Sequence, residues 1–318
     1  MIQLSYRTTS PVVLCIFNRP DVTRRVFDAI KTVQPRALYV VADAPRQDVE
    51  GEEQLCAQTR KIIEDVTWPC EVTLDYATKN LGCKQRIYSG ISNAFKKFDF
   101  AIILEDDCLP SPDFFRFVDT MRKRYKDDEK VMHISGTSFV RPHTPKASYY
   151  RSPYPLIWGW ATWRRAWVNF DLSMSDWPEL KARLEGEVLS STNTHRRFLK
   201  YLEKSYLNTV STWDYPYNAY ILKNRGHCIS PLYNLISNIG FGDQSTHTSN
   251  SNSAQSSIPI DELPNELIPA NKDEVDKYYS RVQLNNGLYR PRKIVRHFYQ
   301  ICNRLRIPLR AGLHRPKE

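Results

Sequence analysis

FAIILEDDCLPSPDFFRF, residues 100–117, packs a strand, an acidic turn and a helix start into one short stretch. Residues 100–104 are apolar throughout, the pattern of a strand covered on both faces. Three carboxylates follow, Glu105, Asp106 and Asp107. Ser111 then stands as a helix cap with Pro112 at the first helical position, and the spacing predicts a helix to about residue 125. Working outward, the same alternation repeats. Strands are expected over 11–17, 37–42, 70–76 and 131–135. Helices are expected over 21–33, with Val22, Val26, Phe27 and Ile30 on one face, over 52–65, with Leu55, Ile62 and Ile63 inward, and over 84–97.

Short strands alternating with helices give an α/β fold with a mostly parallel central sheet and helices on both faces. Such sheets bind ligands beyond the carboxyl ends of their strands. The residues to read are therefore Asn18 and Arg19, Asp43, and the 105–107 cluster. The second half differs. Residues 149–170 carry Trp158, Trp160, Trp163 and Trp167, and helices are expected near 178–189, 195–207 and 213–223, with an extended segment over 228–239. Residues 244–257 are a polar low-complexity run, twelve of fourteen being Ser, Thr, Asn or Gln, which predicts a mobile loop.

Composition excludes several classes. The 318 residues are 41% hydrophobic and 25% charged, ordinary for a globular chain. No apolar run approaches the ~20 residues of a membrane span, and the polar first ten residues lack a signal core, so the chain is expected in the cytoplasm. Seven scattered cysteines without a Cys-x-x-Cys pair predict reduced thiols rather than a disulfide frame or zinc site. The net charge of +10 is concentrated in residues 290–318, where nine Lys and Arg face one acid. The body is nearly balanced, which argues against nucleic acid as a partner. The tail reads as a basic amphipathic helix that either lies on an anionic membrane surface or docks on the body with its charges solvated.

Three adjacent carboxylates repel one another unless protons or a cation relieve them. A hard divalent ion such as Mn²⁺ or Mg²⁺ takes carboxylate oxygens and leaves positions for phosphate oxygens. A solvated acidic turn is the alternative. Arg19 fits an anion contact or a structural helix end, and Asp43 fits a ligand contact or a turn.

NRPDVTRRVFDAI from residue 18, VVADAPR from residue 40 and ILEDDCLPSPDFFRF from residue 103 together resemble the GT-A nucleotide-sugar glycosyltransferases. More narrowly, they resemble the N-acetylglucosaminyltransferase I family and bacterial hemolytic-protein-like transferases, well over residues 11–125 and loosely over 150–240. The resemblance implies a GT-A fold over residues 1–275, with a nucleotide-binding half (11–135) and an acceptor half (136–275), followed by the tail at 276–318. It implies a metal-dependent, inverting transfer from a nucleotide-diphosphate sugar, a UDP-sugar first, to a glycan or lipid-linked acceptor in bacterial surface-glycan synthesis. Arg19 would meet phosphate or ribose, Asp43 the base, Asp107 the metal, and Glu105 and Asp106 the donor sugar and ribose. Where the family has a nucleotide-touching histidine, this chain offers Lys84 or Arg86.

The resembled acceptor side has its catalytic carboxylate in a Trp-Asp-Asp segment, and Trp213-Asp214-Tyr215 is the match. Asp214 is therefore either the base or a helix cap, with Asp171 and Asp176 as fallbacks. Trp158 and Trp160, two apart in an extended segment, would present indole faces to a sugar acceptor, or pack in the core. His247 is a candidate further metal ligand by the same resemblance, or a solvated loop residue. Two other readings remain: a sugar nucleotidyltransferase, disfavoured by the glycine-free Asn18-Arg19-Pro20 loop, and a non-enzymatic peripheral membrane adaptor built on the tail.

Overall fold

The computed structural model describes residues 6–140, 147–187, 193–240, 258–270 and 273–283. The strand–helix alternation is present. β1 (Val12–Ile16), α1 (Pro20–Val33), β2 (Ala37–Ala42), α2 (Glu52–Lys61), β3 (Glu71–Tyr76), α3 (Gly82–Lys97) and β4 (Phe100–Glu105) follow in order. A 3-10 turn over Ile62–Asp65 ends α2, so the expected long helix is split there. Leu55, expected inward, is instead exposed, while Ile62 and Ile63 are buried. Ser111 does cap α4 (Pro112–Arg124), its hydroxyl accepting the Phe114 N–H at 3.2 Å.

The second half supplies β5 (Cys108–Pro110), β6 (Val131–Ser135), β7 (Tyr149–Ser152), β8 (Trp160–Trp163), the single-turn α5 (Arg164–Trp167), α6 (Trp177–Gly186), α7 (Asn193–Tyr206), α8 (Asp214–Lys223), β9 (His227–Pro231), β10 (Ile236–Asn238) and α9 (Asp273–Gln283). Among the described residues the strands form an eight-stranded sheet in the order β3-β2-β1-β4-β8-β6-β9-β7, and β5 pairs with β10. The β3-β2-β1-β4 half is wholly parallel, and β8 enters antiparallel to β4. This large, mainly parallel sheet flanked by helices is consistent with a GT-A-like fold.

The apolar runs explain the layering. All five residues of β1 are buried, and they alternate between two cores. Val12 and Leu14 face α1 and α4 through Phe27, Ile30, Phe114 and Phe117. Val13 and Cys15 face α3 and α8 through Ile91, Trp213 and Tyr217. A strand buried on both faces needs such unbroken hydrophobicity. The order of strands reverses between β1 and β4, since β2 and β3 lie on one side of β1 and β4 on the other. That switch opens a crevice at the carboxyl ends of β1 and β4.

Part of the expected tail docks on the body. Tyr279 and Val282 of α9 pack with Tyr150 on β7, and the Tyr150 hydroxyl donates to Gln283 Oε1 at 2.6 Å. The basic segment 290–318 and the low-complexity run 244–257 lie outside the described residues. No helix among the described residues is long and apolar enough to cross a membrane. The described cysteines are free, with Cys15, Cys56, Cys108 and Cys228 buried.

Candidate active site

The switch-point crevice collects charge. Arg19 follows β1, and its guanidinium bonds Asp106 through Nε at 3.2 Å and through Nη2. It also pairs with Asp107 Oδ2 at 3.1 Å. The expected phosphate-facing arginine is thus held by the acidic cluster itself. Asp106 is buried and fixed by this pair, so the structure gives it to holding Arg19 rather than presenting it to a ribose. Burial pushes its carboxyl up to about 6, against the opposing pull of Arg19.

Glu105 ends β4 beside Cys15. Its carboxyl is pushed up to about 8, first by burial, then by the charges of Asp107 and Asp106. Asp214 adds to the same shift. That contribution places the first residue of α8 within electrostatic reach of a cluster more than a hundred positions away in the chain. The Cys83 thiol, at the start of α3, is pushed up first by burial and then by the charges of Glu105 and Asp214. The crevice therefore gathers Asp106 and Asp107 on Arg19, with Glu105 beside them and Asp214 within electrostatic reach of Glu105.

Asp107 is backed by the segment after β10. The Ile239 N–H donates to the Asp107 carbonyl at 2.9 Å. A Cβ built on Gly240 would lie 2.6 Å from Asp107 Cβ and 2.7 Å from its Cγ, far inside contact distance. Gly240 is needed for the carboxylate to sit where it does, a demand that no local pattern around residue 240 announces.

Asp214 does not stand at the cap position of its helix. The cap position of α8 is Trp213, which makes no side-chain capping bond. Asp214 lies in the first turn, its Oδ1 accepts the Thr212 hydroxyl, and its carbonyl accepts Asn218 Nδ2 at 2.8 Å. Thr212 and Asn218 are partners of Asp214 that sequence reading missed. The fallbacks are committed elsewhere: Asp171 accepts bonds from the Ser173 and Ser175 N–H groups at 2.8 Å, and Asp176 pairs with Lys223.

Three expected contacts take other work. Asp43 is buried and accepts the N–H groups of Ala44 (2.9 Å), Leu81 (3.0 Å) and Gly82 (2.9 Å). Its oxygens latch the end of β2 to the start of α3 and are filled by doing so. Arg86 is buried and ties β2 to β3, with Nε donating to the Ala42 carbonyl at 3.0 Å and Nη2 to Asp75 Oδ1 at 2.7 Å. It serves the sheet, because a guanidinium buried there must satisfy its donors locally. Lys84 bonds Asn208 Oδ1 at 3.0 Å, bridging α3 to the turn after α7.

The two acceptor tryptophans part company. Gly159 has a φ of 60°, a left-handed conformation that breaks strand alternation. Trp158 falls half-buried against one core, whereas Trp160 is fully buried in the other. Trp160 stacks on His133 at 5.1 Å and on Trp213 at 5.5 Å, so no face of it is open to an acceptor. His247 lies outside the described residues.

Among the described residues no group of three His, Cys, Asp or Glu side chains is already arranged as a metal cage. The donor chemistry nevertheless fits a hard cation. Asp107 and Glu105 offer oxygen ligands, negative charge exceeds the single neighbouring guanidinium, and Mg²⁺-type sites use as few as one or two carboxylates plus phosphate oxygens.

A pH test follows from Glu105. Its folded carboxyl titrates above the unfolded value, so the folded state holds this proton more tightly. Stability from this group is full below about 4.5 and is lost as pH rises toward about 8. Without divalent ions, Glu105→Gln should be more stable than the parent at pH 8–9 and equal to it near pH 4, by thermal melting. Added Mn²⁺ should stabilise the parent increasingly across the same window. A parent and variant with parallel pH profiles would remove Glu105 from the charged cluster.

Fold and site together define an α/β protein with an acidic, cation-competent crevice at a topological switch point. No protein-family model matches the chain, and no curated protein matches it. Among solved structures it is similar to an apo UDP-glucose pyrophosphorylase, at 10% identity and TM-score 0.34, over 70% of this chain and 93% of that one. It is also similar to S. aureus TarS 1-349, at 11% identity and TM-score 0.35, over 62% and 71%. HddC from Yersinia pseudotuberculosis follows at 11% and 0.30, over 48% and 77%. Likeness this low transfers no activity.

Proposed function

We propose that the chain is a metal-dependent, inverting glycosyltransferase using a nucleotide-diphosphate sugar, a UDP-sugar first, with a glycan or lipid-linked acceptor. The observation that carries this reading is the acidic 105–107 cluster paired with Arg19 at the carboxyl ends of β1 and β4. Its donors suit a cation and a diphosphate, and Asp214, the acid of α8, lies within electrostatic reach of Glu105.

Asp107, with Glu105 beside it, would hold Mn²⁺ or Mg²⁺, which supplies Lewis-acid charge to a diphosphate leaving group. Arg19 binds the same anion, its guanidinium being held at the crevice floor by Asp106. Lys84 has ammonium donors beyond its Asn208 bond and contributes at the α3 side. Asp214 takes the proton of the acceptor hydroxyl as the oxygen bonds the anomeric carbon and the carbon–diphosphate bond breaks. Thr212 orients that carboxylate. Trp158 is the indole left to support a sugar ring, since Trp160 is enclosed. His247 as a further ligand and the basic tail as a membrane contact stay within this proposal as resemblance implied them.

The test is UDP release from a panel of UDP-sugars with Mn²⁺ present, comparing the parent with Asp107→Ala. The parent should release UDP and the variant should lose at least about 100-fold, the scale for removing one strong charge stabiliser. Equal turnover would remove the metal role. Pyrophosphate release from UTP and a sugar 1-phosphate would instead make the chain a nucleotidyltransferase.

A further inference from the structure

Among the described residues β3 ends the large sheet, with β2 as its neighbour on one side. The Glu71 N–H donates to the Arg36 carbonyl at 2.8 Å, and the Ala77 N–H donates to the Ala42 carbonyl at 2.9 Å. Backbone groups alternate along a strand. Odd-numbered residues therefore address β2, and the N–H and C=O groups of Val72, Leu74 and Tyr76 address the open side. The side chains of these same residues share one face. They line a cavity of about 590 Å³ together with apolar residues such as Ala57 and Trp68 and the charged Arg60, Lys61 and Glu64. Leu74 is 54% exposed and Val72 37%. An open edge flanked by exposed apolar side chains is a template for another strand.

The sequence of β3 selects the occupant. We propose that β3 pairs antiparallel with β3 of a second copy of this chain, about a two-fold axis through Leu74, to make one continuous sheet. Side chains directly opposite in such a pair lie on one face, so only registers centred on a residue are self-consistent. Centring on Thr73 sets Glu71 against Asp75 of the second copy, and centring on Asp75 sets that carboxylate against itself. Centring on Val72, Leu74 or Tyr76 opposes no two acids, and of these only Leu74 pairs the whole Val72–Leu74–Tyr76 row with its counterpart. Leu74 then meets Leu74, Val72 meets Tyr76, Thr73 meets Asp75, and Glu71 meets Ala77. The outward backbone groups fall in phase in this register: Leu74 exchanges both bonds with its counterpart, and Val72 does so with Tyr76. The apolar strand side of each copy's cavity then abuts the other's Val72–Leu74–Tyr76 row, while Arg60, Lys61 and Glu64 of α2 and the turn after it line the far side. Hydrogen-bond parity, charge and apolar match thus agree on one self-complementary surface, as an isologous contact requires. The surface lies on β3, apart from the crevice residues, so this inference stands independently of the proposed function.

Leu74→Cys tests the axis directly. Directly paired residues of this type have Cα atoms about 5.5 Å apart, within disulfide range. Under mild oxidation Leu74→Cys should form a covalent dimer beyond the background of the parent's own thiols, and faster than Val168→Cys, an exposed control away from β3. The parent at about 50 μM, above the micromolar Kd of a weak specific interface, should show dimer mass by light scattering. Leu74→Asp should be monomeric with an unchanged melting temperature. Amide exchange gives a parity readout: Val72, Leu74 and Tyr76 should be protected in the parent and released in Leu74→Asp, while Thr73 and Asp75 stay protected in both. A monomeric parent overturns the proposal, as does Leu74→Cys crosslinking no faster than the control. A monomer with those even-numbered amides protected also overturns it, and assigns the edge to another segment or a different partner.

Discussion

Replacing Asp214 by Asn should lower sugar-transfer turnover by about 10²–10⁴-fold, the usual contribution of a positioned general base, while leaving UDP–Mn²⁺ affinity within a few-fold. The substitution keeps shape and removes only the ability to take a proton. Asn can still accept the Thr212 hydroxyl, and the backbone bond from Asn218 to the residue 214 carbonyl is untouched. The helix does not depend on this side chain for capping, because its cap position is Trp213. A large loss of turnover with a normal melting curve and normal nucleotide binding is therefore the signature of chemistry rather than fold. Turnover within about threefold of the parent would exclude Asp214 as the base. Asp171 and Asp176 would be poor replacements, since each is already bound within its own turn or to Lys223.

Trp160→Ala should cost about 3–5 kcal/mol of unfolding free energy, the range for truncating a large buried aromatic, measured as a fall in urea midpoint at constant slope. Trp160 is fully buried and sits at the centre of a cluster. His133 stacks on it, Trp213 stacks at 5.5 Å, and Tyr217 lies at 5.2 Å. The cavity left behind would loosen Trp213, the residue before the proposed base Asp214, so turnover should fall as well. Trp158→Ala makes the contrast. Trp158 is half-buried, with Phe139 at its edge 5.7 Å away, and its loss should raise the acceptor KM with a much smaller change in stability. A stable Trp160→Ala variant with weakened acceptor binding would return this tryptophan to the acceptor surface.

The contrast shows where reading along the chain fails. Trp158 and Trp160 share one face if the segment is extended. A single left-handed residue, Gly159, sends them into different cores. The glycine was visible, but its conformation is dictated by packing against Ile236, whose side-chain atoms crowd the position a Cβ would occupy. Arg86 and Asp43 failed similarly. Asp43 follows the end of β2, and Arg86 stands in α3 where the resemblance implies a nucleotide contact, yet both are used to join β2, β3 and α3. A charged residue near a strand end can serve ligand or scaffold, and only its partners distinguish the two.

Local sequence alone determined the alternation of β1 to β4 with their helices, because burial on both faces demands unbroken apolar runs and a helix demands its 3.6-residue stripe. It also determined that three carboxylates leave β4 together, since their adjacency is covalent. Tertiary structure decided what those carboxylates meet. Arg19 reaches them because β1 and β4 are neighbours in the sheet, Gly240 because β10 pairs with β5, and Asp214 because α8 packs its aromatic face beneath the same sheet. Each meeting is a contact between segments distant in the chain. Its free energy resides in long-range packing, which no window of neighbouring residues contains.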